Sequence, residues 1–289
     1  MNYELVNVVN PGTKSWNIQK KRAIELNERI ISLAPNSGTA GLEKSEGVKI
    51  VNLIDFIVKR KYKKQKGLFF NRAPVPTGAE IFMNQDHSIS IIFNGEEIGL
   101  MDLYVGTRRY VKSINYKNSD GTPDFSEEYT LEGTKYSTIY YTKGEVQKIN
   151  FYNDLEQVVV SFFFYEGSIN FVVVRDAYNG NIESRYNSLS AFYAEELSKF
   201  LKNNDVVNFN FLGIELESLS KSNSHNNLYL EETPLDGEGN MKGNLHFVLQ
   251  DNSKIIEKLF TSKKNVEILK NKKENLKKVF IIQEPGLQN

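Results

Sequence analysis

Turn signals recur at short intervals through the middle of the chain and leave no room for helices between them. From Gly121 to Gly180 each Gly- or Asp-containing turn pair follows the previous one after about 10 to 13 residues. The segments between the turns, such as residues 146–152 and 158–165, are rich in β-branched and aromatic residues. Strands joined this tightly run antiparallel, because a parallel return needs a crossover of about a dozen residues. The sequence predicts an antiparallel β-meander of about seven to nine strands.

The segments on both sides of this meander mix strand and helix patterns. We predict strands at residues 3–9, 206–211, 228–230, 245–249 and 279–282, and helices at residues 16–34, 189–201, 255–260 and 266–276. Residues 48–56 fit either pattern. Strands that alternate with helices are typical of a largely parallel sheet covered on both faces. The predicted fold class is therefore α/β, built from residues 1–74 and 186–289, with the antiparallel β-meander inserted as residues 75–185.

The composition removes several classes of function. There are 36 basic and 36 acidic residues, so the formal net charge is zero, which argues against a nucleic-acid partner. The absence of cysteine excludes disulfides, zinc–thiolate sites and a cysteine nucleophile. His87, His225 and His246 are far apart and form no metal-ligand motif. We predict no metal, no cofactor and no catalytic residue.

A basic cluster precedes the meander and bears on where the protein resides. Its members are Lys59, Arg60, Lys61, Lys63, Lys64 and Lys66. Such a cluster can bind an acidic membrane surface, although it is more often a solvated helix end. No apolar run approaches the roughly 18 residues that a membrane span needs, and the first residues lack a signal-peptide pattern. We expect a cytoplasmic protein, with contact to the inner face of the cell membrane as an option.

Two further features have ordinary structural explanations. Residues 236–244 carry spaced glycines, but a proline precedes them and a strand is predicted to follow, which favours a structural loop over a phosphate-binding loop. His246 lies in the apolar run Leu-His-Phe-Val-Leu, which favours a hydrogen-bonded core histidine.

Three motifs resemble one known family. Residues 67–81, GLFFNRAPVPTGAEI, resemble its "LFFNEVPVPxxWEI" segment, and residues 110–121 resemble its "RLVKAVDWLDxxG" hairpin. Residues 236–249 are similar to its "PGNMQLLL" segment, with Glu232-Thr-Pro234 standing where that family has Gln-Glu-Pro. The family is the glycosyltransferase-stabilising subunit of the accessory Sec system, the B subunit of the O-GlcNAc transferase for serine-rich repeat adhesins. The resemblance covers about residues 67–252.

The resemblance implies a GT-B-type organisation, in which a Rossmann-like amino-terminal half carries the meander and a second Rossmann-like half follows. Catalytic relatives hold the sugar nucleotide mainly through the second half, including a Glu-x7-Glu pair. No two glutamates are eight positions apart here, and the sequence ends near the start of the expected second half. The resemblance therefore predicts that the donor site is absent.

The resulting prediction is a non-catalytic stabilising or chaperone subunit. It would dock a catalytic glycosyltransferase subunit and bind a Ser/Thr-rich adhesin polypeptide. The predicted contact aromatics of the meander are Tyr110, Tyr116, Tyr140, Tyr141, Tyr152, Phe162, Phe163, Phe164 and Tyr165. The resemblance adds a loop near the interdomain cleft, with Glu232, Asn240, Gly243 and Asn244. Two alternatives stay open: the acceptor-side half of a retaining GT-B glycosyltransferase, and an adaptor unrelated to glycosylation.

Overall fold

The chain begins with alternating strands and helices. The computed structural model describes residues 1–62, 67–251 and 253–282. Its first elements are β1 (Asn2–Val6), α1 (Lys14–Glu25), β2 (Arg29–Ser32), α2 (Thr39–Glu46), β3 (Ile50–Asn52) and α3 (Leu53–Ile57). The helix predicted for residues 16–34 is wrong in its second half, which forms β2. Asn27, with a φ of 52°, reverses the backbone after α1 and ends the helix there.

Ten strands then follow one another, each paired antiparallel with its neighbours along the chain. They are β4 (Glu80–Met83), β5 (Ile89–Phe93), β6 (Glu96–Leu103), β7 (Val111–Lys117), β8 (Pro123–Tyr129), β9 (Lys135–Thr142), β10 (Glu145–Tyr152), β11 (Val158–Tyr165), β12 (Ser168–Arg175) and β13 (Ile182–Tyr186). The predicted antiparallel meander is confirmed, with ten strands rather than about seven to nine.

The remaining elements return to the α/β pattern. They are α4 (Leu189–Phe200), β14 (Val206–Phe209), α5 (Ile214–Ser218), β15 (His225–Leu230), α6 (Gly243–Leu249), β16 (Lys258–Thr261), α7 (Lys263–Asn271) and β17 (Val279–Ile281). Two predictions are wrong here. Residues 245–249 form a helix, because Leu245, Val248 and Leu249 share one buried face at helical spacing. The segment at 255–260 contains no helix and runs into strand β16, in which Leu259 and Thr261 alternate inward.

The chain forms two compact units. Unit 1 comprises the described parts of residues 1–34, 46–53 and 193 onward, and unit 2 comprises those of residues 35–45 and 54–192. Unit 1 contains a seven-stranded parallel sheet in the order β17-β16-β15-β14-β1-β2-β3. Unit 2 contains the ten-stranded antiparallel sheet. The predicted combination of a parallel sheet with helices and a separate antiparallel sheet is therefore confirmed.

A buried ion pair fixes α1 against the parallel sheet of unit 1. Glu4, on the interior strand β1, is fully buried and accepts two hydrogen bonds from Arg22, at 2.8 Å from Nε and 2.6 Å from Nη2. Gln19 donates a third hydrogen bond to Glu4 at 3.2 Å. Arg22 also donates to Asn210 and lies over the ring of Tyr229, 3.8 Å from its centroid. These contacts supply the partners that a buried charge requires.

Unit 2 has an aromatic core on one face of its sheet. Phe151 and Phe162 are in edge-to-face contact at 5.0 Å, Tyr136 meets Phe151 at 5.8 Å, and Phe192 meets Phe162 at 5.5 Å. All four side chains are at most 2% exposed. The first turns of α4 thus close this face with Phe192, which also contacts Tyr186.

We expect Glu4→Gln to reduce the fall in stability as the pH rises. Burial raises the pKa of Glu4 to about 7, although Arg22 opposes the shift. The folded state therefore holds this proton more tightly than the unfolded state, whose carboxyl titrates near 4.5. The stability that this proton contributes is complete below pH 4.5 and is lost as the pH rises through 7.

The measurement is the urea midpoint of the full chain at pH 4.5 and pH 8. We expect Glu4→Gln to reduce the loss of unfolding free energy between pH 4.5 and pH 8 by about 1–3 kcal/mol. Part of the pH dependence remains, because burial also raises the pKa of Asp55, to about 6. Glu25→Gln, at an exposed carboxyl, is the control and keeps the wild-type slope. A Glu4→Gln variant with an unchanged slope would contradict this account.

Candidate functional site

The strand register of unit 2 aligns large side chains in one row across its sheet. Phe125 of β8 pairs with Tyr140 of β9, which pairs with Lys148 of β10. Lys148 in turn pairs with Phe163 of β11, and Phe163 pairs with Phe171 of β12. Directly paired residues of an antiparallel sheet share a face, so all five side chains project to the same side.

Ring contacts extend this row by one more strand. Tyr116 of β7 stacks on Phe125 at 4.5 Å, and Phe125 lies 6.5 Å from Tyr140. Phe163 and Phe171 are 6.0 Å apart. We call Tyr116, Phe125, Tyr140, Lys148, Phe163 and Phe171 together the aromatic stripe. It crosses six consecutive strands from β7 to β12.

Lys148 occupies the centre of the aromatic stripe. Its Nζ lies 6.0 Å from the ring centroid of Tyr140 and 5.3 Å from that of Phe163, within range of a cation–π contact. Burial lowers the pKa of Lys148, and the nearby positive charge of Arg175 lowers it further. Lys148 therefore separates two clusters of rings, one of Tyr116, Phe125 and Tyr140 and the other of Phe163 and Phe171.

A glycine makes room for the stripe at its β7 end. Gly99 of β6 pairs with Tyr116, and a Cβ on Gly99 would lie 2.8 Å from the carbonyl oxygen of Asn115 and 3.3 Å from the Tyr116 ring. The ring thus covers backbone that no side chain shields. Only glycine at position 99 allows Tyr116 to lie flat enough to stack on Phe125.

A row of polar groups runs beside the aromatic stripe, two residues away from the stripe residue on each strand. Glu127, Thr138, Asn150 and Ser161 pair directly across β8 to β11. Ser161 donates to Asn150 at 2.8 Å and accepts from Arg175 at 3.0 Å. Thr138, Asn150 and Ser161 are at most 6% exposed, so this row makes its hydrogen bonds within the sheet.

The stripe is accessible from β9 to β12, whereas Tyr116 at its β7 end is 8% exposed and belongs to a buried hydrophobic cluster. Tyr140 is 39% exposed and Phe171 is 36% exposed, and Phe125, Lys148 and Phe163 are half-buried. On the opposite face, the neighbouring residue Phe162 is 2% exposed. Adjacent phenylalanines of β11 thus have different roles, because successive residues of a strand point to opposite faces.

The predicted contact aromatics fall into three groups. Tyr116, Tyr140 and Phe163 belong to the aromatic stripe. Tyr152 lies on the same face but is buried, with its hydroxyl 3.0 Å from that of Thr138. The others lie outside the stripe: Tyr110 packs edge-to-face on Phe69, Tyr141 is on the opposite face, Phe162 is in the core, Phe164 is half-buried, and Tyr165 is exposed near the end of a hairpin.

Three members of the stripe were not among the predicted residues. Phe125, Lys148 and Phe171 are isolated in the sequence and gain their neighbours only through strand pairing. The signal that could have found them is the alternation along each strand, counted inward from the turn on either side. Irregular pairing near several of these turns defeats that count.

The residues predicted for a loop near a cleft lie in unit 1 and are held by local contacts. Glu232 accepts from Lys242 at 2.7 Å, and the backbone N–H of Asn240 donates to Asp236 at 2.9 Å. Gly243 and Asn244 belong to helix α6 rather than to a loop or a strand, and Asn244 donates to the Leu212 carbonyl at 2.8 Å. His246 is an exposed residue of this helix, hydrogen-bonded to Glu274 at 3.0 Å, so its prediction as a core histidine is wrong.

The basic cluster divides between exposed and buried residues. Lys59 lies over the ring of Tyr178 at 4.4 Å, and the Lys61 backbone donates to Asp154. The Arg60 side chain is 1% exposed and bonds to Asp55 at 3.1 Å, so it is unavailable to a membrane surface. Lys63, Lys64 and Lys66 lie outside the described residues.

The described ranges contain neither a candidate membrane-spanning helix nor a candidate metal site. None of their helices has the length and apolar character that crossing a membrane requires. Within the same ranges no three His, Asp or Glu side chains are grouped closely enough to hold a metal ion.

Comparisons with known proteins identify solved structures that share this architecture. Protein-family profiles and curated sequences give no match. Solved structures do: accessory secretory protein 1, 2 and 3 of Streptococcus pneumoniae superposes with a TM-score of 0.72 at 13% identity, covering 98% of this chain and 62% of that one. The two share one fold.

Two further structures share the fold. The pneumococcal O-GlcNAc transferase GtfA, solved with UDP and GlcNAc, gives a TM-score of 0.75 at 12% identity. The glycosylation-associated Gap123 complex of Streptococcus agalactiae gives 0.68 at 14% identity. Each match covers 98% of this chain and 60% of the other. The chain thus spans about three fifths of these relatives, and the resemblance to accessory Sec glycosylation proteins is confirmed at the level of the fold.

We expect substitutions of two adjacent phenylalanines, one in the core and one in the stripe, to lower the free energy of unfolding by different amounts. Phe162→Ala removes a fully buried ring and should lower the free energy of unfolding by about 3–5 kcal/mol. Phe163→Ala removes a half-buried ring and should cost about 1 kcal/mol. Urea denaturation of both variants measures the difference, and equal losses would contradict the assignment of faces.

Proposed function

We propose that the chain is a non-catalytic stabilising subunit of a protein O-glycosyltransferase. In this role it docks the catalytic subunit and holds a Ser/Thr-rich adhesin polypeptide in the cytoplasm. The organisation that we propose is the amino-terminal half of a GT-B fold. Residues 1–74 and 186–289 then form a Rossmann-like domain, and residues 75–185 form its insertion.

The aromatic stripe is the observation that supports this proposal. Exposed rings on a rigid sheet give contact area at a small entropic cost, because few side-chain torsions are fixed on binding. Such a surface makes little demand on the sequence of an extended polypeptide, which suits a repetitive acceptor.

The fold supports the glycosylation context of the proposal. Structural neighbours include complexes described as GtfA/B and Gap123, in which glycosylation proteins associate with one another. A glycosyltransferase is therefore the first candidate partner of the chain. Membrane contact through the basic cluster is not included, because Arg60 is buried.

A second candidate is the acceptor-side half of a retaining GT-B glycosyltransferase. It is favoured by the similarity to GtfA, an O-GlcNAc transferase solved with UDP and GlcNAc. A stabilising subunit is not expected to bind a sugar nucleotide, whereas part of a glycosyltransferase can retain part of the donor site. Binding of UDP-GlcNAc by the chain alone, measured by calorimetry, would therefore favour the enzyme.

We expect a complex with the catalytic glycosyltransferase encoded beside this chain, and faster sugar transfer to a Ser-rich acceptor in that complex. The double variant Tyr140→Ser/Phe163→Ser should weaken the complex or acceptor binding by roughly tenfold or more, because aromatic anchors dominate interfaces. Size-exclusion chromatography and a transfer assay measure the two effects separately.

The matched control is Tyr178→Ser, which removes an exposed tyrosine of unit 2 that is not in the stripe. Its complex and transfer rate should equal those of the wild type. A wild-type chain that neither binds the transferase nor raises transfer would refute the proposal. The same is true of a stripe variant that retains full activity.

A further inference from the structure

Three positive charges lie on the face of the ten-stranded sheet that carries the aromatic stripe. Lys148 of β10 is the central residue of the stripe, and Arg175 ends β12. Arg185 of β13 pairs with Val173, which lies two residues from Phe171 and therefore on the same face. The chain as a whole has equal numbers of basic and acidic residues, so this grouping is a local feature of the sheet.

Hydrogen bonds bring the Arg175 guanidinium back across the sheet toward Lys148. Nη1 of Arg175 donates to the Ser161 hydroxyl at 3.0 Å, and that hydroxyl donates to the side-chain oxygen of Asn150 at 2.8 Å. Ser161 pairs directly with Asn150, which lies two residues from Lys148 on β10. The guanidinium and the ammonium therefore lie over the same pair of strands, two residues apart along the ladder.

The two cations have no acidic partner in the part of the chain that the structure describes. Neither Lys148 nor Arg175 forms an ion pair with a residue in the described ranges, and Glu183 of β13 contacts Asp176. Burial lowers the pKa of Lys148, and the positive charge of Arg175 lowers it further. Half-buried like charges repel each other more strongly than charges in bulk water, and an anion bound between them removes that repulsion.

The surroundings of these charges are ordered and partly apolar. Ser161 and Asn150 are 0% and 6% exposed, so the groups that orient the Arg175 guanidinium are themselves fixed in the sheet. Arg175 donates one side-chain hydrogen bond to a described residue, which leaves further N–H groups of its guanidinium for a ligand. The Lys148 ammonium lies 5.3 Å from the ring centroid of Phe163, which gives the site an apolar wall.

The charge of the site favours one chemical class of ligand. A dianion neutralises two fixed positive charges, whereas a carboxylate leaves one of them unbalanced. A phosphate monoester carries a charge of about −1.5 to −2 at pH 7 and offers three acceptor oxygens. Its oxygens can accept from an ammonium and from a guanidinium at once, and both groups commonly bind phosphate in proteins.

We propose that Lys148 and Arg175 form a binding subsite for a phosphate monoester dianion. Arg185 attracts the ligand at the rim of this subsite, and Phe163 contacts the group that carries the phosphate. The inference deepens the function proposed above, because it names a chemical group that the stripe recognises. It rests on that function only where a Ser-rich polypeptide carries the phosphate, and a small phosphate ester is the other source.

Inorganic phosphate is the first probe, because it tests the subsite without a polypeptide. The Tm of the full chain is measured at neutral pH in phosphate and in chloride of equal ionic strength. The phosphate is kept in the low-millimolar range, where its exclusion from the protein surface has little effect. We expect a higher Tm in phosphate, since a ligand of the folded state stabilises it. Lys148→Gln and Arg175→Gln should each abolish most of this shift.

A fluorescent Ser-rich peptide with one phosphoserine is the second probe. Matched peptides carry serine or glutamate at that position. Fluorescence anisotropy with the full chain should show the phosphopeptide binding roughly tenfold or more tighter than the serine peptide. The glutamate peptide should bind close to the serine peptide, and Arg175→Gln should remove the preference for phosphoserine.

Two control variants separate the subsite from the general effect of charge. Lys112→Gln removes the same charge from an exposed lysine of β7, outside the stripe, and should keep the phosphate response and the peptide preference. Lys148→Arg retains the charge at the subsite and should also retain phosphate binding. Circular dichroism verifies that each variant is folded.

Three results would overturn the proposal. The first is a wild-type chain whose Tm is the same in phosphate and in chloride. The second is a phosphate response that persists in Lys148→Gln and Arg175→Gln, which would place the phosphate elsewhere. The third is equal affinity for the phosphoserine and glutamate peptides, which would identify a carboxylate as the ligand.

One further result separates this proposal from the function on which its peptide probe rests. A chain that binds inorganic phosphate through Lys148 and Arg175, but binds none of the three peptides, would support the subsite with a small phosphate ester as its ligand. The same result would count against the Ser-rich polypeptide as the partner of the stripe.

Discussion

In the ten-stranded sheet each strand pairs only with its neighbours along the chain, so every pairing register depends on the hairpin that joins the two strands. A slip of one residue would exchange the two faces of a strand. On β11 such a slip would bring Phe163 into the core and Phe162 out to solvent. The buried cluster of Phe151, Phe162 and Phe192 penalises this exchange, and the accessible aromatic stripe exists because that cluster selects one register.

A different constraint organises unit 1. Glu4 places a carboxylate in an interior strand of a parallel sheet, where apolar residues are the rule. Burying this charge is tolerable only because Arg22 reaches it from α1 with two hydrogen bonds. The same guanidinium lies over Tyr229 of β15, so the pair that satisfies Glu4 also fixes α1 against a second strand of the sheet.

The sequence predicted the two kinds of sheet, but it did not predict which side chains the strand pairing brings together in the stripe. Turn spacing predicted the antiparallel meander, because Asp-Gly and Asn-Gly pairs act locally and need no tertiary information. Short apolar runs were ambiguous: residues 245–249 fit a strand by composition and became a helix through the packing of Leu245, Val248 and Leu249. The boundary after α1 was missed because the left-handed Asn27 follows an apparently continuous helical pattern.

The aromatic stripe was only half predicted, for a related reason. Abundance of tyrosine and phenylalanine pointed to the right sheet, and Tyr116, Tyr140 and Phe163 were named. Which rings share a face depends on long-range pairing and on irregularities such as the one between Phe163 and Phe164. A run such as Phe162–Tyr165 gives no local indication of which residue is buried.

The position of Lys148 shows how an exposed aromatic surface of this size stays usable. A continuous row of rings on a sheet is an aggregation hazard, because two such faces can stack on each other. Lys148 places a charge in the middle of the row, and stacking two copies would bring two like charges together away from water. A partner that offers an oxygen atom opposite Lys148 avoids that penalty. The central lysine therefore disfavours self-association, and it is compatible with the Ser/Thr-rich polypeptide proposed above as a ligand.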